Sequence, residues 1–432
     1  MKFGYLRDSF TDFAWKRVTA VEVDPESSNG HELNSSSRLR EILGETTRRA
    51  SQQTGISTRF FYFNDEEDAP TEDVGSLSWY ESRANQPKRS PEWRLYYTDN
   101  AVIGRTGHAK SGDFFLIAFS PGKNSAYVFV AASKSTAESQ IKWLFGISET
   151  QELKFQTGSV RPEQPIGFAA AKILEAVGVV LPTTDDPLLE EMLSKFGEKF
   201  PPSSVFSNFV RSRTPAVPAE ENADAAIIAW MESEEFAFRV LERFLVEKRI
   251  KSGFKDVDDF VTCSLSVQNR RKSRAGRAFE NHLAEIFTAH KLIFERGGLV
   301  EDNGKPDFLF PGSAHYFDQK FPSANLTILG AKTSCKDRWR QVLAEGRRIK
   351  EKHLVTLEPA ISSNQLLQMR NEQLQLVVPQ SLHATFSLTD QSHLWSLAAF
   401  INETRAKQVR ASISPAVVLG KTSVTSKKRH KS

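Results

Sequence analysis

Two stretches, KPDFLF (305–310) and LTILGAKTSCKDRWRQVLAEG (326–346), decide the fold of the C-terminal half. Asp307 opens a short apolar run that predicts a buried strand, and Lys332 closes a second such run. The rest of the second stretch has apolar residues at helical spacing, which predicts a helix that carries Glu345. A buried charge needs a partner or a cation, so we expect these three side chains to converge.

This order of acid, lysine and acid predicts metal-dependent cleavage of phosphodiesters. The helix, expected over KDRWRQVLAEGRRIK (336–350), brings Glu345 back towards Asp307, and two carboxylates form a hard-oxygen site for Mg²⁺. The metal polarises the phosphate and activates a water, while Lys332 stabilises the phosphate charge or orients that water. The alternative is structural: Asp307 caps a turn, and Lys332 and Glu345 form an ordinary ion pair.

Four stretches together resemble the EcoRII-like type II restriction endonucleases, which have the PD-(D/E)XK fold. The stretches are NRRKSRAGRAFENHLAEIF (269–287), KPDFLFPG (305–312), AKTSCKDRWRQVLAEG (331–346) and LVVPQSLH (376–383). The resemblance implies that Asp307 and Glu345 bind the metal and that Lys332 is the catalytic lysine. It also implies that Tyr316 and Glu280 lie close to the same centre.

The triplet Lys336, Asp337 and Arg338 matches the residues with which this subgroup reads CC:GG base edges. An arginine can bind guanine O6 and N7 together, and an aspartate can accept a hydrogen bond from cytosine N4. Without the resemblance, the solvated first turn of a helix is the preferred interpretation. The resemblance implies a short, nearly palindromic target, with CCWGG as the first guess.

A dense basic cluster precedes Glu280 and includes Arg270, Arg271 and Lys272. We expect it just before the helix that carries Glu280, lying along a DNA backbone, where each phosphate contact steepens the salt dependence of binding. A solvated helix start is the alternative, although like charges this close repel one another.

The N-terminal half is rich in short apolar runs separated by turn residues, which predicts a β-barrel or sandwich. Its basic loop, SRANQPKRSPEWR (82–94), holds Lys88, Arg89, Glu92 and Arg94. Composition alone leaves DNA binding and a solvated surface equally open. This half is similar to the effector-binding pseudobarrel of the same family, which implies that these four residues contact DNA.

The expected fold is a two-domain chain of the α+β and α/β classes. Residues 1–182 form a β-pseudobarrel DNA-binding effector domain, and residues 183–225, rich in proline, alanine and acids, form a linker. Residues 226–410 form the catalytic domain, a restriction-endonuclease-like mixed sheet flanked by helices. Residues 411–432 form a basic tail that we expect to be disordered.

Composition sets the broad class. The 432 residues are 39% hydrophobic and 25% charged with a net charge of +4, which is typical of a globular protein and permits nucleic acid as a partner. The chain has two cysteines, Cys263 and Cys335, and no cysteine or histidine spacing typical of zinc sites. No signal peptide or membrane span is expected, so a reduced cytoplasmic setting is the prediction.

The resemblance implies a Mg²⁺-dependent type II restriction endonuclease that cuts double-stranded DNA and has a companion DNA methyltransferase. A two-fold symmetric target favours a homodimer. The resemblance also implies that the N-terminal domain blocks the catalytic cleft until it binds a second DNA copy. Three alternatives stay open: a nuclease directed by methylation, a DNA-binding protein without cleavage and, more weakly, an RNA-processing enzyme.

Overall fold

The computed structural model describes residues 3–23, 31–33, 36–44, 55–67, 69–86, 88–148, 153–181, 185–214 and 217–413. We call the residues up to 181 the N-terminal part and those from 217 onward the C-terminal part. Each part contains its own β-sheet. Most of the predicted tail, residues 414–432, lies outside the described residues.

The N-terminal part contains an eight-stranded mixed sheet in the order β2-β5-β4-β3-β7-β6-β1-β8. The strands are β1 (Asp12–Arg17), β2 (Glu32–Leu33), β3 (Gly55–Phe63), β4 (Thr71–Glu81), β5 (Trp93–Tyr97), β6 (Phe114–Phe119), β7 (Ser125–Ala131) and β8 (Gln156–Ser159). Aromatic and β-branched residues fill them, which fits a half-buried pleated surface. The short strands predicted from residue 58 onward are therefore confirmed.

In the described residues, β8 at one edge of this sheet is bonded through side chains to the segment 38–41, which follows the other edge strand, β2, along the chain. Arg38 donates to Gln156 at 2.5 Å, and Thr157 donates to Glu41 at 2.6 Å. One sheet face encloses an apolar core of its own, around residues such as Phe60. Closure into a pseudobarrel stays a prediction.

Thirteen helices are present in the described residues. They are α1 (Ala20–Val23), α2 (Arg40–Leu43), α3 (Thr136–Phe145), α4 (Phe168–Ala176), α5 (Asp186–Phe196), α6 (Ser203–Arg213), α7 (Ala223–Ser252), α8 (Val257–Ala289), α9 (Ser313–Phe317), α10 (Trp339–Leu343), α11 (Ser363–Asn371), α12 (Leu388–Gln391) and α13 (Leu397–Arg410). Ser135 caps the start of α3, because its side chain accepts from the backbone N–H of Glu138 at 3.1 Å.

The prediction of a linker over 183–225 is corrected, because helices α5 and α6 occupy much of it. They bury Phe196, Phe206 and Phe209 in the core of the N-terminal part. Helix α7 packs in the cores of both parts, because Trp230 lies in the C-terminal core and Phe236 lies in the N-terminal core. Composition indicated a linker since prolines and acids flank these apolar residues, yet three buried aromatic rings outweigh that signal.

The C-terminal part has a five-stranded mixed sheet in the order β13-β12-β11-β10-β9, flanked by helices as predicted. The strands are β9 (Glu295–Arg296), β10 (Phe308–Phe310), β11 (Thr327–Lys332), β12 (Lys352–Thr356) and β13 (Leu374–Val377). Strand β10 is antiparallel to β9 and β11, whereas β11, β12 and β13 are parallel. Each central strand is buried on both faces, which is typical of a sheet covered by helices on both sides.

No helix of the described residues is both long enough and apolar enough to cross a membrane. The two cysteines are free: Cys335 is buried, and Cys263 is partly exposed on α8.

Candidate active site

Strand register brings Asp307 and Lys332 together. Phe308 pairs with Leu329 in the antiparallel ladder, so the residue before β10 lies beside the end of β11. The Asp307 Oδ2 atom accepts from the Lys332 ammonium at 2.8 Å and from the backbone N–H of Ala331 at 2.7 Å. Both donors use the same oxygen, and no hydrogen bond reaches Oδ1 from the part of the chain that the structure describes. That oxygen faces no protein donor and can take a cation.

Glu345 reaches this pair because α10 packs very closely on β11. A Cβ atom at Gly330 would lie 2.5 Å from Val342 Cγ2, so only glycine lets the helix approach the strand at this point. Gly346, with a φ of +66°, turns the chain immediately after Glu345 and packs on Ile328. The two glycines therefore hold the second acid above the end of the strand.

The predicted helix over 336–350 is wrong in its length. A 3-10 turn covers Lys336–Arg338, α10 ends at Leu343, and Glu345 lies in the bend that follows. The reason is competition for backbone donors: the Arg347 N–H donates to the Glu301 carboxylate, and the Arg348 N–H donates to the Tyr316 hydroxyl. These donors are not available to continue the helix.

The Glu345 carboxyl has a pKa raised to about 7. Burial is the largest cause, because it removes water from the charged form, and the negative charge of Asp307 raises the pKa further. Lys332 and Lys352 act in the opposite direction. The two lysines therefore do not cancel the combined effect of burial and of the Asp307 charge on Glu345.

Tyr316 lies beneath the Glu345 turn. Its hydroxyl donates to the Glu301 carboxylate, and its backbone carbonyl accepts from the Arg348 guanidinium. Burial and the Glu301 charge raise the pKa of Tyr316 to about 12, so its phenol keeps its proton at neutral pH. The structure thus places Tyr316 against the backbone that positions Glu345, with its hydroxyl engaged by Glu301.

Glu280 lies on α8 and accepts from Arg296 of β9 at 3.0 Å. Strand β9 is the neighbour of β10, and the backbone N–H of Gly297 donates to the Asp307 carbonyl at 3.2 Å. Glu280 is therefore linked to the strand beside Asp307, while no hydrogen bond joins it to the Asp307–Lys332 pair among the described residues. Its expected place near the same centre stays a prediction.

The described residues contain no group of three or more histidine, cysteine or acidic side chains arranged as a metal cage. Mg²⁺ does not need one, because it keeps several waters and commonly binds through one or two carboxylates together with substrate phosphate. Asp307 and Glu345 are the two carboxylates here that could supply those oxygen atoms. The repulsion that raises the pKa of Glu345 is what a divalent cation would relieve.

The triplet 336–338, for which the resemblance implies base readout, lies next to the N-terminal part. The Lys336 ammonium donates to the backbone carbonyl of Glu67 at 2.7 Å, and the Arg338 side chain is exposed. The side chain of Asp337 lies outside the described set. The triplet therefore sits at the boundary between the two parts.

The basic cluster is corrected in position, since it lies within the 33-residue helix α8, which also carries Glu280, and not before that helix. Arg271 is already bound to Glu242 at 2.6 Å and to Glu175 at 3.2 Å. Arg270 stacks on the Phe200 ring. Lys272 is exposed. The spacing of lysine and arginine in the sequence could not show that Glu242 and Glu175 bind Arg271.

In the N-terminal loop, Lys88 and Arg89 are exposed, as expected of a DNA contact. Glu92 pairs with Arg83 at 2.9 Å, and Arg94 pairs with Glu32 at 2.5 Å. Two of the four predicted contact residues therefore also support the loop itself.

Sequence reasoning missed two residues that shape the site, Glu301 and Lys352. Glu301 follows β9 in a 3-10 turn and binds both Tyr316 and the Glu345 turn. Lys352 opens β12 and is 8% exposed. Neither had a visible signal, because a polar turn and a lysine at the edge of an apolar run are both ordinary surface patterns.

The C-terminal part is similar in sequence to type II restriction enzymes. Residues 238–401, which include Asp307, Lys332 and Glu345, match the family described as EcoRII C terminal. The resemblance expected from the sequence motifs is therefore confirmed for this part of the chain.

Two curated relatives carry the similarity. The type II restriction enzyme EcoRII of Escherichia coli is 45% identical over 167 residues, which are 38% of this chain and 41% of that protein. The type II restriction enzyme SsoII of Shigella sonnei is 30% identical over 157 residues, 31% of this chain and 50% of that protein. The chain thus matches half or less of the length of each relative.

Two solved structures are also similar. Metal-depleted Ecl18kI in complex with uncleaved, modified DNA is 18% identical with a TM-score of 0.43, and the match covers 53% of this chain and 86% of that one. The PspGI complex with substrate DNA is 13% identical with a TM-score of 0.39, and the match covers 55% and 95%.

Proposed function

We propose that this chain is a Mg²⁺-dependent type II restriction endonuclease that hydrolyses both strands of duplex DNA at a short site. One observation carries the proposal. Asp307, Lys332 and Glu345 lie close together at the adjoining ends of the inner strands β10 and β11. Similarity to two type II restriction enzymes supports the reaction class. The proposed site is Asp307 and Glu345 for the metal and Lys332 as the catalytic lysine, with Glu280 and Tyr316 as supporting residues.

In the hydrolysis, a water oxygen bonds to phosphorus and one phosphorus–oxygen ester bond breaks. Asp307 fixes the Lys332 ammonium at 2.8 Å, so the lysine can face the charge that develops on the phosphate. Glu301 and Tyr316 hold the turn that presents Glu345. Bound Mg²⁺ would supply Lewis-acid polarisation of the phosphate and a lowered pKa of water.

Digestion of a plasmid of known sequence, with and without Mg²⁺, tests the proposal. We expect discrete ends at one CC:GG-class motif, only with metal, when the cut ends are sequenced. Copies of the same plasmid with methylated sites separate ordinary restriction from methylation-directed cleavage. Retention of duplex DNA without any cut would instead assign a binding function, and cleavage of RNA alone would contradict the proposed substrate.

The target proposed first is CCWGG, read through Lys336, Asp337 and Arg338. The exposed Arg338 suits bidentate contact with guanine. A chain of this type would share its cell with a DNA methyltransferase that protects the same site. The N-terminal loop residues Lys88 and Arg89 are proposed to contact a second DNA copy.

Arg338→Ala should lose discrimination at one G·C pair, at a cost of about 1 to 3 kcal/mol. The measurement compares cleavage rates on the matched site and on a site with that pair replaced. Arg410→Ala, at the exposed end of α13, is the matched control and should leave the ratio unchanged. An unaltered preference in the Arg338 variant would reject its role in readout.

We further propose that the N-terminal part restrains the catalytic part. Gln140 of α3 donates to Glu358 at 2.9 Å, and Glu358 in turn accepts from the backbone N–H of Cys335, directly before the recognition triplet. Thr136 donates to Gln365 at 2.8 Å. A third contact joins Lys336 to the Glu67 carbonyl. These contacts support a state in which the readout residues are held by protein.

An open cavity of about 770 Å³ lies between the two parts at this boundary. Its lining carries both signs of charge: Asp65, Glu66 and Glu67 are acidic, whereas Lys110, Lys134 and Arg340 are basic. The proposed restraint therefore rests on the hydrogen bonds between the two parts and not on the charge of the cavity.

Gln140→Ala should speed cleavage by about tenfold, because a hydrogen bond to a charged group contributes about 1.5 to 3 kcal/mol to the restrained state. The measurement is the cleavage rate of the whole chain on DNA that carries a single site. Truncation is unsuitable, since removal of the N-terminal part would expose Phe236 of α7. Gln156→Ala, within the N-terminal sheet, is the control, and equal rates for both variants would contradict the restraint.

A further inference from the structure

Helix α8 carries an apolar face that the described residues leave uncovered. Val257, Phe260, Val261 and Leu265 are 74%, 53%, 44% and 53% exposed. Further along the same helix, Ala275, Phe279, Leu283 and Ile286 are buried. Ala275 lies eighteen residues, or about five full turns, after Val257, and each set recurs at helical spacing, so both sets lie on one helix face. The face that packs in the core therefore extends beyond it into solvent.

The exposed half of α8 has fixed local structure. Arg249 at the end of α7 binds the Asp259 carboxylate through both oxygens at 2.8 and 2.6 Å. The Phe254 ring between the helices packs edge-on against Phe260 at 5.3 Å. Helices α7 and α8 thus form a firm hairpin, and its apolar face is presented on a rigid support.

Charge on this face is self-complementary. Asp258 and Lys272 lie seven residues before and seven residues after Leu265, so the three side chains share one stripe. At a rise of 1.5 Å per residue, each charge lies about 10 Å along the axis from Leu265. When two such helices pair antiparallel about Leu265, each Asp258 comes opposite the Lys272 of the other copy.

We propose that this face binds the same face of a second copy, with the two-fold axis at Leu265. The charge pattern indicates that the partner is a second copy of this chain. Leu265 has an acid on one side and a base at the same spacing on the other side, so two antiparallel copies are complementary. The inference rests on the proposed function, because a two-fold symmetric DNA target favours a homodimer, and it names the surface of that dimer. It gives Lys272 a protein contact in place of the DNA backbone contact proposed for it.

The test is sedimentation of the full chain without DNA. The wild type should sediment as a dimer, at twice 48.6 kDa. Lys272→Glu should weaken self-association by at least about tenfold, because the two-fold axis makes each substitution place like charges together twice. The double variant Asp258→Lys with Lys272→Glu should restore the dimer.

Arg277→Glu is the matched control, because it makes the same charge change on the same helix, about 140° away from Lys272. It should leave the dimer intact. Leu265→Glu, which places two carboxylates at the axis, should give a folded monomer by circular dichroism. A wild-type monomer, an unaffected Lys272→Glu dimer or a double variant that stays monomeric would each overturn the proposal.

These outcomes are independent of the nuclease proposal. If the chain cuts DNA at a discrete site and its α8 variants stay dimeric, the proposed dimer surface is rejected and the proposed function is retained. A dimer that follows the charge exchange but never cuts DNA would support the surface and reject the function.

Discussion

Asp307→Asn should reduce cleavage by at least about 10³-fold, the upper end of what loss of one electrostatic catalytic group costs. The substitution keeps the shape of the side chain and removes the charge that holds Lys332 at 2.8 Å. It also replaces one of the two carboxylates proposed to bind the metal with a neutral amide. The measurement is single-turnover cleavage at saturating Mg²⁺, so that weakened DNA binding does not limit the rate.

Asp318→Asn is the control for this variant, because it neutralises an exposed acid eleven residues away in the same segment. It should cut at the wild-type rate. The Asp307 variant should still bind its site in a gel-shift assay without metal. Retained cleavage would contradict the active-site assignment, whereas joint loss of binding and thermal stability would show that Asp307 supports the fold instead.

The strands β10 and β11 and the convergence of Asp307 with Lys332 could be predicted from the sequence, whereas the order of the strands in the sheet was not predicted. Short apolar runs bounded by turn residues mark β10 and β11 unambiguously, and antiparallel pairing of these strands necessarily brings their ends together. The helices α7 and α13 were equally visible, because both have a continuous apolar periodicity. These elements are determined by local pattern, which a single sequence displays.

The path of the chain after α10 could not be predicted, because long-range contacts decide it. Periodicity continued the helix through Glu345, but Glu301 and Tyr316 take the backbone donors that the next turn would need. Glu301 is 44 residues before Glu345 in the chain, and nothing in its own surroundings marks it. The same holds for α5 and α6, whose burial depends on a sheet folded from residues far away.

Cleavage should depend on pH through Glu345. With Mg²⁺ below saturation, the rate should fall about tenfold per pH unit below pH 7, because this carboxyl has a pKa of about 7 and must lose its proton to bind a cation. Raising the Mg²⁺ concentration should move the acid limb to lower pH, since proton and cation compete for the same oxygens. If the acid limb of the pH–rate profile does not move with the Mg²⁺ concentration, the titrating group is not Glu345.

The sign of the stability effect is opposite to that of an ordinary ion-paired acid. The folded pKa of Glu345 lies above its ordinary value of 4.5, so between these values the metal-free folded chain holds a proton that the unfolded chain has lost. Its contribution to stability therefore falls as pH rises from about 4.5 to 7 and is constant above that. Glu345→Gln should raise the melting temperature of the metal-free protein at pH 8 and not at pH 4.

Lys352 gives the same argument an independent control. The charge of Lys352 lowers the pKa of Glu345. Burial lowers the pKa of Lys352 itself, and the charges of Glu301 and Glu345 offset only part of that effect. Lys352→Met should therefore raise the pKa of Glu345 and move the acid limb of cleavage to higher pH. Lys350→Met, two residues away and exposed, should not move it. If both variants titrate like the wild type, Lys352 does not act on Glu345, and desolvation and Asp307 alone set its pKa.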